Sequence, residues 1–293
     1  MPESAGIHAA PGTATRFLRR YPPLVIAAAG FVLFTLLVAL AADWIAPYHY
    51  TTQDLDNRLK APSFLGGPAQ YWLGTDELGR DLLSRLIYAM RFSVVIAIAG
   101  TTIGAVIGTL LGFVAAHFRG WIEESVMMLV DTQASLPFIL LALAVLAFFG
   151  NSLVLFILIL GINGWETYAR LARGMVISAN TQGYAVAVRA LGATPFTIYR
   201  RHILPNIASI LIVQYTLNFP ATILLETSMS FLGLGIQPPL TSLGQMLGAG
   251  RAHLLSAWWI SIFPGMMIFL TTLSISILGD WLRDRLDPTL RSR

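Results

Sequence analysis

The residues best suited to chemistry are few and scattered. Asp76, Glu77 and Asp81 fall within Gly74-Thr-Asp-Glu-Leu-Gly79-Arg80-Asp81 and could hold a cation. Hard cations, however, need more converging oxygens than one short stretch supplies, and alternating acids and bases between glycines instead suggest a folded, internally paired loop. No metal site is expected there. Asp131 and Glu226 are carboxylates in or near apolar runs, where an ionisable group is costly enough to suggest a functional role. Gln214 and Asn218, one helical turn apart, could line a hydrated cavity. These four are the candidate pathway residues. Hydrogen bonding between helices is the alternative for each, and the favoured one.

Catalytic chemistry finds no support. His8, His49, His117, His202 and His253 form no HExxH pair, and the absence of cysteine removes thiol nucleophiles, disulfides and iron–sulfur ligation. Lys60, the sole lysine, follows Leu59, so there is no phosphate-cradling Gly-Lys-Ser/Thr loop. No catalytic residue is assigned, and any work done by ATP must come from another polypeptide.

The elements that must position these residues are membrane spans. Of 293 residues, 56% are hydrophobic and 12% charged, about half the charge of an ordinary soluble domain. The apolar residues come in runs near 24–45, 93–116, 126–149, 152–169, 206–232 and 258–281, which predicts an all-α integral membrane protein with six transmembrane helices. The first run is too long for a signal-peptide core and lacks a small-x-small cleavage site, so it reads as a retained span. The net charge of +4 comes without a basic stripe, so no nucleic-acid partner is expected. Placing the N-terminus inside puts 13 of the 19 basic residues in cytoplasmic segments, so both termini are expected there. Trp44, Trp121, Trp258, Trp259 and Trp281 read as interfacial anchors. Pro137, Pro220 and Pro264 are expected to bend their spans. Gly100, Gly104, Gly108 and Gly112 make a small-residue seam for close packing.

Between the fourth and fifth runs, residues 182–205 spell helix, glycine turn, helix. Tyr184, Ala187, Val188 and Leu191 fall at i, i+3, i+4 and i+7. Gly192 stops the first helix, and Thr194-Pro195 starts a second, carrying Phe196, Tyr199 and Ile203 on one side and expected to end near Pro205. Too short to span and too apolar to be a free loop, the pair needs a surface. On the residues alone, a partner protein and the bilayer surface are equal choices.

Tyr184-Ala-Val-Ala-Val-Arg-Ala-Leu-Gly192, with His202-Ile-Leu-Pro205-Asn206 downstream, resembles the cytoplasmic Glu-Ala-Ala loop of bacterial ATP-binding-cassette importer membrane subunits. Val186 stands where that motif has its glutamate and Val188 where it has its second alanine, so the glutamate's charge contact does not carry over. Leu73-Gly-Thr-Asp76-Glu-Leu-Gly79-Arg80-Asp81, Ser230-Phe-Leu-Gly-Leu-Gly235 with Gln237-Pro-Pro, and Gly279-Asp280 leading to Leu286-Asp287-Pro288 narrow the resemblance to the second membrane subunit of the dipeptide, oligopeptide and nickel importers.

That resemblance implies a type I ABC importer permease fold in the bacterial inner membrane, with a disordered head at 1–16, a first helix and outer loop at 17–92, a five-helix core at 93–282 and a tail at 283–293. It implies coupling to an ATPase through Tyr184, Ala187, Arg189, Ala190, Leu191, Gly192 and Ala193, within coupling helices at 182–204. The implied partners are a second homologous permease subunit in a heterodimer, two ABC ATPase subunits that hold ATP and magnesium, a periplasmic or lipid-anchored substrate-binding protein, and membrane lipid. No cofactor is implied on this chain itself.

Overall fold

The structure, a computed structural model, describes residues 22–286. The expected head, the last residues of the tail and both chain termini lie outside them. Among the described residues the chain is helical, with one isolated bridge between Thr75 and Asp81.

The first span, α1 (Pro23–Leu40), starts on a proline that needs no intrahelical N–H partner and is followed by the short α2 (Ala42–Ile45). The next helix, α3 (Leu82–Phe118), begins well before the predicted 93. Its 37 residues extend about 55 Å at 1.5 Å per residue, against about 30 Å of bilayer hydrocarbon. The surplus lies in its first turns, which the sequence placed in the loop, where Arg85 binds Asp76 and both Tyr88 and Arg91 bind Asp43 of α2.

The predicted third span is two helices, α4 (Gly120–Ser135) and α5 (Phe138–Phe149), bent by 93°. Pro137 has no N–H to give and pushes Leu136 into extended backbone, which separates them. Among the described residues five helices are long and apolar enough to span, and six if the bent pair is one broken span. The fourth span continues past the predicted 169, as α6 (Leu153–Ile162) and α7 (Trp165–Asn180) joined at Asn163-Gly164.

The segment between the fourth and fifth runs comprises α8 (Gly183–Ala190), α9 (Pro195–Ile198) and a π turn, Tyr199–Ile203, that runs without a break into α10 (Leu204–Phe231). The expected stop near Pro205 does not occur. The wide π turn supplies the room that a proline ring takes from the preceding turn, so Pro205 sits at the head of α10 as a first-turn proline. The chain closes with α11 (Leu243–Gly250) and α12 (Trp259–Leu286).

The glycine seam of α3 is the tightest joint in the bundle. A Cβ at Gly108 would lie 2.2 Å from the Trp165 carbonyl oxygen, and one at Gly112 2.5 Å from that of Ala169. Only glycine lets α3 and α7 approach so closely. Two of the core clusters frame the ends of the bundle, one joining Leu86 and Met90 to Met246 and Ile260, the other joining Val176 to Ile198, Ile203 and Ile207.

Candidate functional site: a short helix on a rigid lever and an outer clasp

The helix–turn–helix segment at 182–205 is built by local rules. Gly192, at φ +83°, gives its N–H to the Arg189 carbonyl at 3.0 Å, and Ala193 reaches back to Val188 at 3.3 Å, closing α8. The Thr194 hydroxyl then accepts from the Thr197 N–H at 3.4 Å and Pro195 occupies the first turn of α9.

The apolar face read from periodicity divides in two. Ala185 and Val188 turn inward, Ala185 completely buried, while Tyr184, Ala187 and Leu191 face out, Leu191 with 87% of its surface uncovered. Val188 thus belongs to the inner side, because the helix must first dock on its own bundle. Val186 and Ala190 are also exposed, and Ala193 is half-buried at the turn. Arg189 donates to the Asn180 side chain at 2.9 Å, pinning α8 to the end of α7. In the next arm Phe196 points outward and Ile203 is fully buried, so these two do not share the expected side. The Tyr199 hydroxyl and His117 Nδ1 are 2.9 Å apart, joining the π turn to the end of α3. A cleft of about 470 Å³ opens between these parts, lined by His117, Arg119, Asn180, Arg189, Pro195 and Tyr199.

At the opposite end, Gly74 to Asp81 forms a clasp. The Asp76 carboxylate is fully buried and accepts from the Leu78 N–H at 2.8 Å, the Arg80 N–H at 3.0 Å and Arg80 Nε at 2.6 Å. It also binds the Arg85 guanidinium, which itself is 2% exposed. Asp76 is therefore spent on internal partners. Asp81 caps α3, accepting from the Ser84 N–H at 2.8 Å and its hydroxyl at 2.6 Å, while burial pushes its carboxyl pKa up. The Thr75 hydroxyl donates to Asn57 and accepts from the Lys60 N–H. At Gly79, φ +71°, a Cβ would coincide with the Asp54 carbonyl, and at Gly74 it would meet that of Lys60 at 2.6 Å.

The clasp reaches the far end of the chain. Arg85 extends to Thr241 and Gln245, each at 3.4 Å, and Trp259 Nε1 donates to the Thr75 carbonyl at 3.2 Å. Trp259 is buried, so it holds protein to protein and is no interfacial anchor, whereas Trp44 is 89% exposed. The sequence marked Trp259 as an anchor and did not single out Arg85. An arginine nine residues beyond an acid looks like loop charge balance until the helix between them is known.

The four candidate pathway residues separate. Glu226 is completely buried and accepts from Ser93 at 3.2 Å and Ser230 at 2.9 Å, and Ser93 accepts from the Leu243 N–H at 3.2 Å. α3, α10 and α11 meet at this carboxylate. Asp131 lies on the surface of α4, paired at 3.0 Å with exposed Arg170 of α7. Asn218 packs against Gly164 at the α6–α7 break, where a Cβ would lie 2.6 Å from its side chain, and Gln214 is half-buried on the same helix.

Comparison with known proteins agrees with this architecture. Residues 108–292 match the model of the binding-protein-dependent transport system inner membrane component, and residues 14–62 match the N-terminal TM domain of oligopeptide transport permease C. A di/tripeptide transport system permease protein, DppC, of Pseudomonas aeruginosa is 41% identical over 269 residues, covering 90% of this chain and 89% of that protein. A glutathione transport system permease protein, GsiD, of Escherichia coli is 39% identical over 277 residues, 94% and 89% of the two chains. The inward-facing MetNI methionine ABC transporter shares the fold, with a TM-score of 0.58 at 20% identity over 70% of this chain and 98% of that one. The chain belongs to the family of binding-protein-dependent transport system inner membrane components, the multi-pass permease subunits of bacterial ABC importers.

Proposed function

We propose that this chain forms half of the translocation pathway of an ATP-driven importer of small peptides or closely related solutes, and that α8 couples it to a separate ATPase. The observation that carries the reading is the division of α8. Ala185 and Val188 fasten the helix to its own bundle while Tyr184, Ala187 and Leu191 stay uncovered, which is the arrangement a docked lever needs. The π turn continues into α10 without a hinge, so a push on α8 is transmitted along a helix that reaches Phe231. Switching of this kind repacks a bistable bundle between two states and requires no chemistry on the permease.

A second, homologous permease subunit supplies the other wall of the pathway. Two ATPase subunits hold ATP and magnesium, and a binding protein delivers cargo to the clasp side. The cargo class rests on the relatives named for di/tripeptide and glutathione transport, both short peptide substrates. Purification in mild detergent with native neighbours, followed by mass spectrometry, is the test. Recovery of a second permease and two ATPases supports the reading; a lone chain that transports in liposomes without ATP overturns it in favour of a secondary transporter.

A further inference from the structure

We infer that the arginine-rich face of the bundle carries a site for an anionic phospholipid, with one acyl chain in a groove between α3 and α10 and the phosphate held by Arg200 and Arg201. The groove has a volume of about 290 Å³ and is lined by Leu110, Phe113 and Val114 of α3, Leu204 of α10, and Phe196 and Tyr199 between them. Its floor belongs to two apolar helices long enough to span, and Leu110 is 61% uncovered by protein. An apolar slot on such helices suits an alkyl chain.

What makes this more than ordinary lipid contact is the mouth. Arg200 lines the end of the groove and also the adjoining polar cleft, of about 390 Å³, that it shares with Arg201, Phe196 and Thr197. Both arginines are exposed, and neither forms an ion pair with any described carboxylate. By contrast Arg170 and Arg173, nearby on α7, are matched by Asp131 and Glu123. An unmatched guanidinium pair where an apolar slot opens is complementary to a phosphate that carries a fatty chain. The same side chains lie in the π turn that Tyr199 ties to His117, so bound lipid would brace the root of the coupling lever.

Native mass spectrometry of the detergent-purified protein with its neighbours, equilibrated with an equal mixture of phosphatidylglycerol and phosphatidylcholine, tests the site. Wild type should retain phosphatidylglycerol selectively, and retention should fall about fivefold for each arginine replaced in Arg200→Gln and Arg201→Gln. Leu110→Trp, which fills the groove and leaves both arginines in place, should also release the lipid. Phosphatidylglycerol held equally by the double arginine variant would overturn the headgroup assignment and leave the pair for an acidic protein surface. Equal retention of phosphatidylcholine by wild type, or unchanged retention by Leu110→Trp, would overturn the site.

Discussion

Asp76 and Arg85 form a buried ion pair nine residues apart that turns the outer motif back onto the helix it begins. Because Arg85 also reaches Thr241 and Gln245, removing Asp76 leaves a charge stranded between the two ends of the chain. Breaking such a pair from one side costs about 3–5 kcal/mol. Asp76→Ala should therefore lower the melting temperature in detergent sharply, and more than Asp131→Ala, whose exposed pair contributes at most about 1 kcal/mol. Equal melting of the two variants would refute the clasp.

The glycine seam gives a comparison within one helix pair. Gly108→Ala forces a methyl against the Trp165 carbonyl and Tyr168 Cβ, and should cost about 1–3 kcal/mol by overpacking. Gly174→Ala on α7 meets nothing within 4 Å and should be neutral or stabilising by up to about 1 kcal/mol. Thermal unfolding of both variants checks this; similar behaviour would mean that α3 and α7 are not in close contact.

Gly192 poses the opposite case, with open space around it and a backbone only glycine adopts freely. Alanine there should cost about 1–2 kcal/mol, and proline, fixed near φ −65°, cannot adopt the turn. Gly192→Pro should abolish cargo-stimulated ATP hydrolysis by the assembled transporter while the chain still inserts and reaches normal levels. Normal transport by that variant would exclude α8 as the lever.

How legible each feature was depended on how local its cause was. The helix, turn and helix at 182–205 could be read because a glycine stop and a Thr-Pro start act within a few residues. The first turns of α3 could not, because Arg85 and Arg91 are neutralised by Asp76 and by Asp43, the latter 48 residues away. Their charge marked those turns as loop. Pro137 announced a break, but the 93° bend is a property of the packed bundle. Likewise the spacing of Tyr184, Ala187, Val188 and Leu191 revealed an apolar helix without saying that Val188 would turn inward. Glu226 looked like a costly intramembrane charge. Its serine partners, Ser93 and Ser230, come from α3 and α10, and no sequence window contains them together.

Acid should act on the outer segment in two directions. Burial raises the Asp81 pKa above 3.8, so the folded form binds its proton more readily and stability rises as pH falls toward that value. The Asn57 side chain, with Tyr71 also donating, holds Asp54 below 3.8, and Arg91, with Tyr88, does the same for Asp43. Their stabilisation is present above the unfolded value and is lost as pH falls through the lower folded one. Exchange protection across residues 54–81, the observed rate set against the intrinsic rate at each pH, should therefore be greatest near pH 3.8 and fall below it, with Asp54→Asn blunting the acid limb. Exchange protection that falls steadily from neutral pH downward would contradict the Asp81 assignment.

The last prediction concerns whether Glu226 holds helices together or handles cargo. With Ser93 and Ser230 donating to it, the side chain is a hydrogen-bonded junction closed to solvent in this state. Glutamine has the same size and keeps a carbonyl acceptor, so Glu226→Gln should insert, melt within about 1 kcal/mol of wild type and transport normally. Alanine leaves a cavity and strands the hydroxyls, and should cost about 2–4 kcal/mol. A pathway residue would behave differently, because the charge itself would matter: Glu226→Gln would then keep its melting temperature yet alter the apparent KM for charged cargo. Measuring stability and transport on the same two variants separates a junction, which responds to size and hydrogen bonding, from a pathway wall, which responds to charge.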